Sequence, residues 1–164
     1  VLDLCTGSGA IAIAVAKCAP AEVTATDISE AAAEVARANA LGAGVSVRVL
    51  TGDMFAPVSG EKFDIIVSNP PYIPRAELAA LDRRVKDFEP LSALDGGEDG
   101  LDFYRTIAAK ARGHLNDGGV VLLELGAGQA DAVSGLFAGF DTEITQDMQG
   151  VRRILSARMK NEDK

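Results

Sequence analysis

Short apolar segments alternate with helical segments along this chain, and that alternation restricts its possible folds more than any other feature. Strand patterns occupy residues 1–5, 22–27, 45–50, 63–68 and 120–125. The run at 22–27 alternates, and the strand runs are otherwise largely apolar, as is typical of strands covered on both faces. Helices are predicted between and after these runs at residues 10–19, 30–41, 101–115 and 128–139. Strands that alternate with helices form a mostly parallel sheet with helices on both faces.

The C-terminal part predicts an antiparallel hairpin at the edge of that sheet. Residues 141–145 and 153–158 have strand patterns, and the segment around Met148, Gln149 and Gly150 joins them. The whole chain therefore predicts an α/β, Rossmann-like fold with seven strands. Ser29 should cap the second helix and Gly42 should end it. A short helix is expected at residues 76–84, within the long connection 73–100.

Length and composition favour one domain with a well-formed core. The 164 residues are 48% apolar, and none of the apolar runs approaches the ~18 residues of a membrane span. No signal peptide is visible, so we expect a cytoplasmic protein with reduced, buried thiols at Cys5 and Cys18. The net charge of −8 argues weakly against a nucleic-acid substrate. No Cys/His cluster has metal-binding spacing, so no metal is expected.

A glycine turn follows the first strand and predicts a nucleotide-type cofactor. The segment has the form D-x-x-x-G-x-G, and its members are Asp3, Cys5, Thr6, Gly7, Ser8 and Gly9. Glycines permit a tight strand-to-helix turn and let a ligand approach the backbone. The turn alone is weak evidence, because it also fits a variant of the dinucleotide fingerprint or a turn without a ligand.

An acidic residue ends the second strand about twenty residues after the turn. Asp27 stands where nucleotide-binding folds place the acid that binds the ribose hydroxyls. It could instead only neighbour a helix N-cap. The turn and Asp27 together indicate an adenosine cofactor, either NAD or S-adenosylmethionine.

Two further acids favour S-adenosylmethionine over NAD. Asp3 lies inside the first strand, where it could hold the ammonium group of an aminoacyl tail directly or through water. Asp53 could accept a hydrogen bond from the adenine amino group, and Met54 and Phe55 could flank the ring. Simple core packing is the alternative for Met54 and Phe55.

The fourth strand ends at Asn69, Pro70, Pro71 and Tyr72. Prolines cannot donate to the sheet ladder and they restrict the residue before them, so this corner is stiff. The side-chain oxygen of Asn69 and the carbonyl of Pro70 could accept both N–H groups of a planar amide or amine, and Tyr72 could stack on it. That arrangement suits methyl transfer to nitrogen by positioning and electrostatics. A rigid strand-ending turn is the alternative.

These residues and their flanks resemble the release-factor glutamine methyltransferases. The N-P-P-Y signature is shared by S-adenosylmethionine-dependent amino-methyltransferases in general. The similarity to the narrower family also extends through residues 67–73, 88–94, 99–105, 123–126, Gln129 and 147–153.

The resemblance implies a class I methyltransferase fold and N5-methylation of the glutamine amide in the Gly-Gly-Gln motif of peptide chain release factors. The cofactor would be S-adenosylmethionine. Its predicted binding residues are Asp3, Cys5, Thr6, Gly7, Ser8, Gly9, Asp27, Ile28, Asp53, Met54 and Asn69. The predicted substrate residues are Asn69, Pro70, Pro71, Tyr72 and Glu89, of which Asn69, Pro70 and Tyr72 are the predicted catalytic residues.

The chain departs from the family pattern in two places: Cys5 replaces a glycine, and Met54 replaces an aromatic residue often found there. We expect residues 1–164 to be the catalytic domain of a longer protein, without the family's N-terminal helical domain. Glu89 could be only a solvated loop acid. Glu124 is expected to serve a backbone amide, and His114 to interact with its own helix end. The alternative functions are methylation of a ribosomal-protein glutamine, methylation of a nucleic-acid amine, and NAD-dependent oxidoreduction.

Overall fold

A seven-stranded sheet in the order β3-β2-β1-β4-β5-β7-β6 organises the computed structural model, which describes residues 1–81 and 90–160. The strands are β1 Leu2–Leu4, β2 Thr24–Asp27, β3 Arg48–Thr51, β4 Phe63–Ser68, β5 Leu115–Glu124, β6 Phe140–Gln146 and β7 Arg152–Met159. The first five are parallel, while β7 is antiparallel to both β5 and β6. The predicted parallel sheet and its antiparallel edge hairpin are confirmed.

Helices cover both faces of the sheet. Within the described ranges the α-helices are α1 Ala10–Cys18, α2 Glu30–Ala43, α3 Arg75–Leu78, α4 Asp102–His114 and α5 Ala130–Leu136. Along β1, Leu2 and Leu4 enter a large core that includes Tyr104 of α4 and Val133 of α5. Asp3 points to the opposite face, where its carboxylate contacts α1. Two separate apolar clusters therefore form, as expected of a doubly covered sheet.

Several element ends differ from the sequence-based prediction. Helix α2 runs past Gly42 to Ala43, because Gly44 adopts the left-handed conformation (φ 69°) that ends the helix. Ser29 caps its start as predicted, accepting from the amide of Ala32. Strand β5 begins at Leu115, because Leu115 already pairs with Phe63 before the register shifts.

Two other predictions need correction or restriction. The prediction of two buried thiols is wrong, since Cys5 is half-buried and Cys18 is exposed. Cys18 ends α1 between Lys17 and Ala19, which are also exposed. The short helix predicted at 76–84 occurs as α3, and the final residues of that prediction lie outside the described ranges.

The strand order reverses at β1. This strand pairs with β2 on one side and with β4 on the other. The strands β2 and β3 therefore extend the sheet in one direction from β1, and the strands β4 and β5 extend it in the opposite direction. Ligands of open α/β sheets bind beyond the carboxyl ends of the strands at such a switch point.

Candidate active site

The glycine turn and the Asn-Pro-Pro-Tyr corner lie next to each other at the switch point. Leu4, the last residue of β1, pairs with Ser68, the last residue of β4. The hydroxyl of Ser68 also donates to the carbonyl of Leu4 over 2.7 Å. Cys5 and Asn69 therefore leave the sheet from neighbouring positions, which confirms that the two motifs share one sheet edge.

The two glycines of the turn have different surroundings. Both have positive φ, 55° at Gly7 and 82° at Gly9. A methyl group added at Gly9 would lie 3.1 Å from Cβ and 3.2 Å from Cα of Ala36, because α1 and α2 pack closely there. A methyl group added at Gly7 would meet nothing within 4 Å. A side chain at Gly9 would thus be strained by the positive φ and crowded by α2, while Gly7 borders open space.

Asp3 is a buried carboxylate with one free oxygen. Its Oδ2 accepts from the Thr6 hydroxyl over 2.6 Å and from the Ala12 amide over 3.1 Å. Its Oδ1 has no hydrogen-bond partner among the described residues. Burial raises the pKa of Asp3 to about 6, the two hydrogen bonds oppose that rise, and the charge of Asp27 adds to it. An additional donor or cation at Oδ1 would offset this desolvation.

Asp27 connects the first two loops. Its Oδ2 accepts from the Gly7 amide over 2.8 Å, and its Oδ1 accepts from the Ser29 amide over 2.9 Å. The helix-cap neighbour considered from the sequence is therefore one of its contacts. Each carboxylate oxygen keeps a second lone pair, so these two bonds leave acceptor capacity for hydroxyl groups. Ile28, the next residue, is 70% exposed at the same edge.

Met54 and Phe55 are neighbours in the third loop but make different contacts. Phe55 is buried and stacks on the ring of His114 with centroids 4.6 Å apart, which is the core packing that the sequence left open as the alternative. His114 likewise contacts the carbonyl of Glu61 through Nδ1, at 3.0 Å. Met54 is buried as well, at 6% exposed, and its carbonyl accepts from the hydroxyl of Thr26 over 3.1 Å.

Cys5 and Met54, the two residues expected from the resemblance to depart from the family pattern, contact each other. The Cys5 thiol donates to the Met54 thioether over 3.4 Å. Both residues have positive φ, 56° and 48°, which is uncommon outside glycine. No local sequence pattern predicts this contact, because the two positions are 49 residues apart.

Negative charge collects around this thiol. Burial raises the pKa of Cys5 to about 12, and Asp27, Asp3 and Asp53 each add to that rise. Asp53 is exposed, as the third-loop prediction requires. An edge with three carboxylates is suited to a ligand that carries positive charge and opposes a pyrophosphate.

In the Asn-Pro-Pro-Tyr corner, an exposed side-chain amide is followed by two buried prolines. Asn69 is exposed, Pro70 and Pro71 are buried, and Tyr72 is half-buried. The next residue joins the corner to the long connection: the Ile73 amide donates to Leu94, and the Ile73 carbonyl accepts from the Gly96 amide. The backbone hydrogen bonds of Ile73 with Leu94 and Gly96 thus hold the corner in place, while the side chain of Asn69 stays accessible.

The remaining predicted positions are less informative. Glu89 lies outside the described residues. Glu124 is half-buried, and its backbone carbonyl accepts from the Tyr104 hydroxyl over 2.8 Å. Within residues 1–81 and 90–160, no group of three or more His, Cys, Asp or Glu side chains could hold a metal. In the same ranges, none of the helices is both long and apolar enough to cross a bilayer.

Gln129 is a contributor that sequence reasoning missed. Its side chain reaches the carbonyl of Tyr72 and the loop at Gly100 as well as its own helix start. The sequence contained a signal, because Gln129 belongs to the segments that carry the family resemblance. Nothing in the spacing, however, connected it with a residue 57 positions earlier.

Relatives of known name confirm the resemblance. The chain is 47% identical over 163 residues to the release factor glutamine methyltransferase of Geobacter sulfurreducens, covering 97% of this chain and 57% of that protein. The chain is 50% identical to the protein of the same name from Gloeobacter violaceus, with 94% and 57% covered. The chain thus spans little more than half the length of these relatives.

Solved structures and a family model agree on the fold. A methyltransferase from Pyrococcus furiosus superposes with a TM-score of 0.74 at 24% identity, over 96% of this chain and 73% of that one. An RNA methyltransferase from Salinibacter ruber in complex with S-adenosyl-L-homocysteine gives 0.65 at 17% identity, over 99% and 82%. The model of the methyltransferase small domain matches residues 1–86. The chain therefore belongs to the methyltransferase small domain family and has the class I methyltransferase fold.

Proposed function

We propose that the full-length protein methylates the side-chain amide nitrogen of a glutamine in peptide chain release factors, with S-adenosylmethionine as the methyl donor. The observation that carries this proposal is the pairing of Leu4 with Ser68, which sets the glycine turn beside Asn69. The names of the relatives support glutamine as the substrate. The Gly-Gly-Gln motif is the substrate segment that the family resemblance implies.

The residues of the first three loops fit this cofactor. Asp3 offers an unpartnered oxygen inside an anionic edge, which suits an ammonium group reached directly or through a water. Asp27 has acceptor capacity for ribose hydroxyls, and the open space at Gly7 leaves room beside the backbone. We assign Ile28 and Met54 to the adenine faces and Asp53 to the adenine amino group. Thr6, Ser8 and Gly9 shape the turn around Cys5.

The corner residues would hold the substrate amide. When bound, S-adenosylmethionine supplies an electrophilic methyl group on a positively charged sulfur. The Asn69 side-chain oxygen and the Pro70 carbonyl would accept the two amide N–H groups and so orient the nitrogen. The same two oxygens favour the positive charge that develops on nitrogen during transfer. Tyr72 would pack on the planar amide, and Pro71 would keep the corner rigid. We also place Glu89 in the substrate loop and the whole activity in the cytoplasm.

The direct test supplies the full-length protein with methyl-labelled S-adenosylmethionine and a purified release factor. A matched release factor carries Ala in place of the motif glutamine, and ribosomal RNA and ribosomal proteins are offered separately. We expect label only on the intact release factor. Label on the Gln→Ala factor would refute the glutamine assignment. Label confined to RNA or to a ribosomal protein would refute the release factor as the substrate.

A further inference from the structure

We infer that Gln129 is a positioning residue for methyl transfer, acting with Gly96, Gly100 and Gly126 to hold the backbone of Tyr72. We call these four residues the Tyr72 support cluster. The inference deepens the proposed function, since it assigns a task to residues that surround the substrate corner without reaching the substrate.

The Gln129 side chain joins three segments. Its Oε1 accepts from the Gly126 amide over 3.1 Å, at the carboxyl end of β5. Its Nε2 donates to the Tyr72 carbonyl over 2.9 Å and to the Gly100 carbonyl over 3.4 Å. Only a carboxamide offers an acceptor and a two-proton donor at these places. Gln129 therefore ties the strand end, the substrate corner and the glycine-rich loop together.

The three glycines let these segments approach Tyr72. A methyl group added at Gly96 would lie 2.8 Å from Cα and from the carbonyl carbon of Tyr72. One added at Gly126 would lie 2.9 Å from the Tyr72 ring, and one added at Gly100 would lie 2.7 Å from Gln129 Nε2. Cβ atoms essentially never make such close contacts. A side chain at Gly96 or Gly100 would collide with the backbone of Tyr72, and one at Gly126 would displace the side chains of Gln129 and Tyr72. Tyr72 is thus gripped on its backbone and on its ring.

The contacts that hold Tyr72 affect the proposed chemistry because Tyr72 and the carbonyl of Pro70 belong to one stiff segment. The proposed acceptors of the substrate amide are Asn69 and the carbonyl of Pro70, two residues before Tyr72. Prolines at positions 70 and 71 transmit the orientation of Tyr72 to those acceptors. A displacement of about 1 Å at a reacting group can reduce the rate about 100-fold. The contacts of the support cluster involve none of the three cofactor loops, and Asn69 is the one predicted cofactor residue on the segment that it holds, so its loss should change kcat far more than cofactor affinity.

The experiment compares Gln129→Met with Gln146→Met in the full-length protein. Methionine has a length similar to that of glutamine but offers no N–H donor, and Gln146 is an exposed residue of β6. We expect Gln129→Met to lower kcat about 10- to 100-fold. The Kd of S-adenosylhomocysteine, measured by calorimetry, should stay within about twofold of the wild-type value, and Gln146→Met should leave both quantities unchanged.

A second pair of variants approaches the cluster from the opposite side. Gly100→Ala inserts a methyl group against Gln129 and Tyr72, whereas Gly128→Ala inserts one into open space. Both glycines have positive φ, 78° and 83°, so the backbone strain is matched. We expect the kcat loss only in Gly100→Ala. An unchanged kcat in Gln129→Met and in Gly100→Ala would overturn the inference, as would a parallel loss of cofactor affinity and kcat.

Amide hydrogen exchange separates this inference from the proposed function. The amide of Gly96, within the cluster, donates to the carbonyl of Ile73, and the amide of Ile73, next to Tyr72, donates to the carbonyl of Leu94. We expect these two amides to exchange faster in Gln129→Met than in Gln146→Met, whatever the substrate of the enzyme is. Failure of the wild-type protein to methylate a release factor refutes the proposed function alone. Unchanged exchange at both amides refutes the support cluster alone.

Discussion

The thiol of Cys5 and the thioether of Met54 lie 3.4 Å apart and connect the loop after β1 to the loop after β3. These residues are the two positions at which the sequence is expected to depart from the pattern of the family that it resembles, and both have left-handed backbones. A glycine would have avoided that strain at either position, but it would have removed the sulfur contact. The two replacements are therefore one structural feature, because each side chain packs against the other.

Partial burial and the neighbouring carboxylates make Cys5 a slow nucleophile. With a pKa of about 12, Cys5 would be ionised at pH 8 in only about one molecule in 10⁴. We expect iodoacetamide to modify exposed Cys18 at least about 100-fold faster than Cys5, as followed by mass spectrometry of the native protein. In urea both should react, and Cys18→Ser should remove the fast phase. Modification of the two thiols at equal rates would contradict this account.

The two turn glycines should separate stability from ligand affinity. Gly9→Ala adds left-handed strain and a clash with the backbone of Ala36, so we expect the free energy of unfolding to fall by about 2–4 kcal/mol. Gly7→Ala adds the strain alone, about 1–2 kcal/mol, but it fills the space assigned to the cofactor.

Urea unfolding and calorimetry with S-adenosylhomocysteine measure the two effects. We expect the Kd to rise more than about tenfold in Gly7→Ala, because the methyl group occupies space beside the backbone. An unaltered Kd in Gly7→Ala would remove this position from the cofactor site.

Asp3 should make the ligand-free protein less stable as pH rises. Burial raises its pKa from an ordinary 3.8 to about 6, so the folded state holds a proton that the unfolded state has released. The stability contributed by Asp3 is complete below about pH 4 and declines as pH rises to about 6, a change on the order of 2–3 kcal/mol.

Comparison with Asp3→Asn isolates this contribution from the other acids. Unfolding in urea at pH 4 and pH 7.5 should show the variant gaining stability relative to the wild type at the higher pH. Asp117→Asn, at an exposed position, serves as the control. A difference between wild type and Asp3→Asn that does not depend on pH would show that Asp3 has the same pKa in both states.

Asn69 should be required for transfer and dispensable for folding. It is exposed, so Asn69→Ala creates no cavity. The variant loses one of the two proposed acceptors for the substrate amide, and we expect kcat to fall at least about 100-fold. The control is Asn116→Ala, which loses a hydrogen bond to Asp64 outside the candidate active site and should retain activity. Thermal unfolding checks both folds, and wild-type turnover by Asn69→Ala would remove this residue from the mechanism.

Local patterns in the sequence determined the elements of this protein and the residues that end its strands. Apolar runs, helix spacing and the Ser29 cap predicted the parallel sheet, and they located β4 at Phe63–Ser68. Their success has a simple cause: the period of a strand or helix and the chemistry of a cap depend on neighbours within a few residues. The glycine turn, Asp27 and the Asn-Pro-Pro-Tyr corner were assigned to one sheet edge because parallel strands end on the same side.

Tertiary structure alone decided which of those residues touch. It sent Phe55 into the core against His114, joined Cys5 to Met54, and brought Gln129 to Tyr72. These contacts depend on strand order, register and the close approach permitted by glycines, which no local pattern encodes. The unpartnered Oδ1 of Asp3, which has no hydrogen bond among the described residues, is also a result of tertiary structure, because the packing of α1 over β1 buries that carboxylate. The sequence thus determined which side chains stand at the carboxyl edge of the sheet. Three-dimensional packing decided which of those side chains remain available to a ligand.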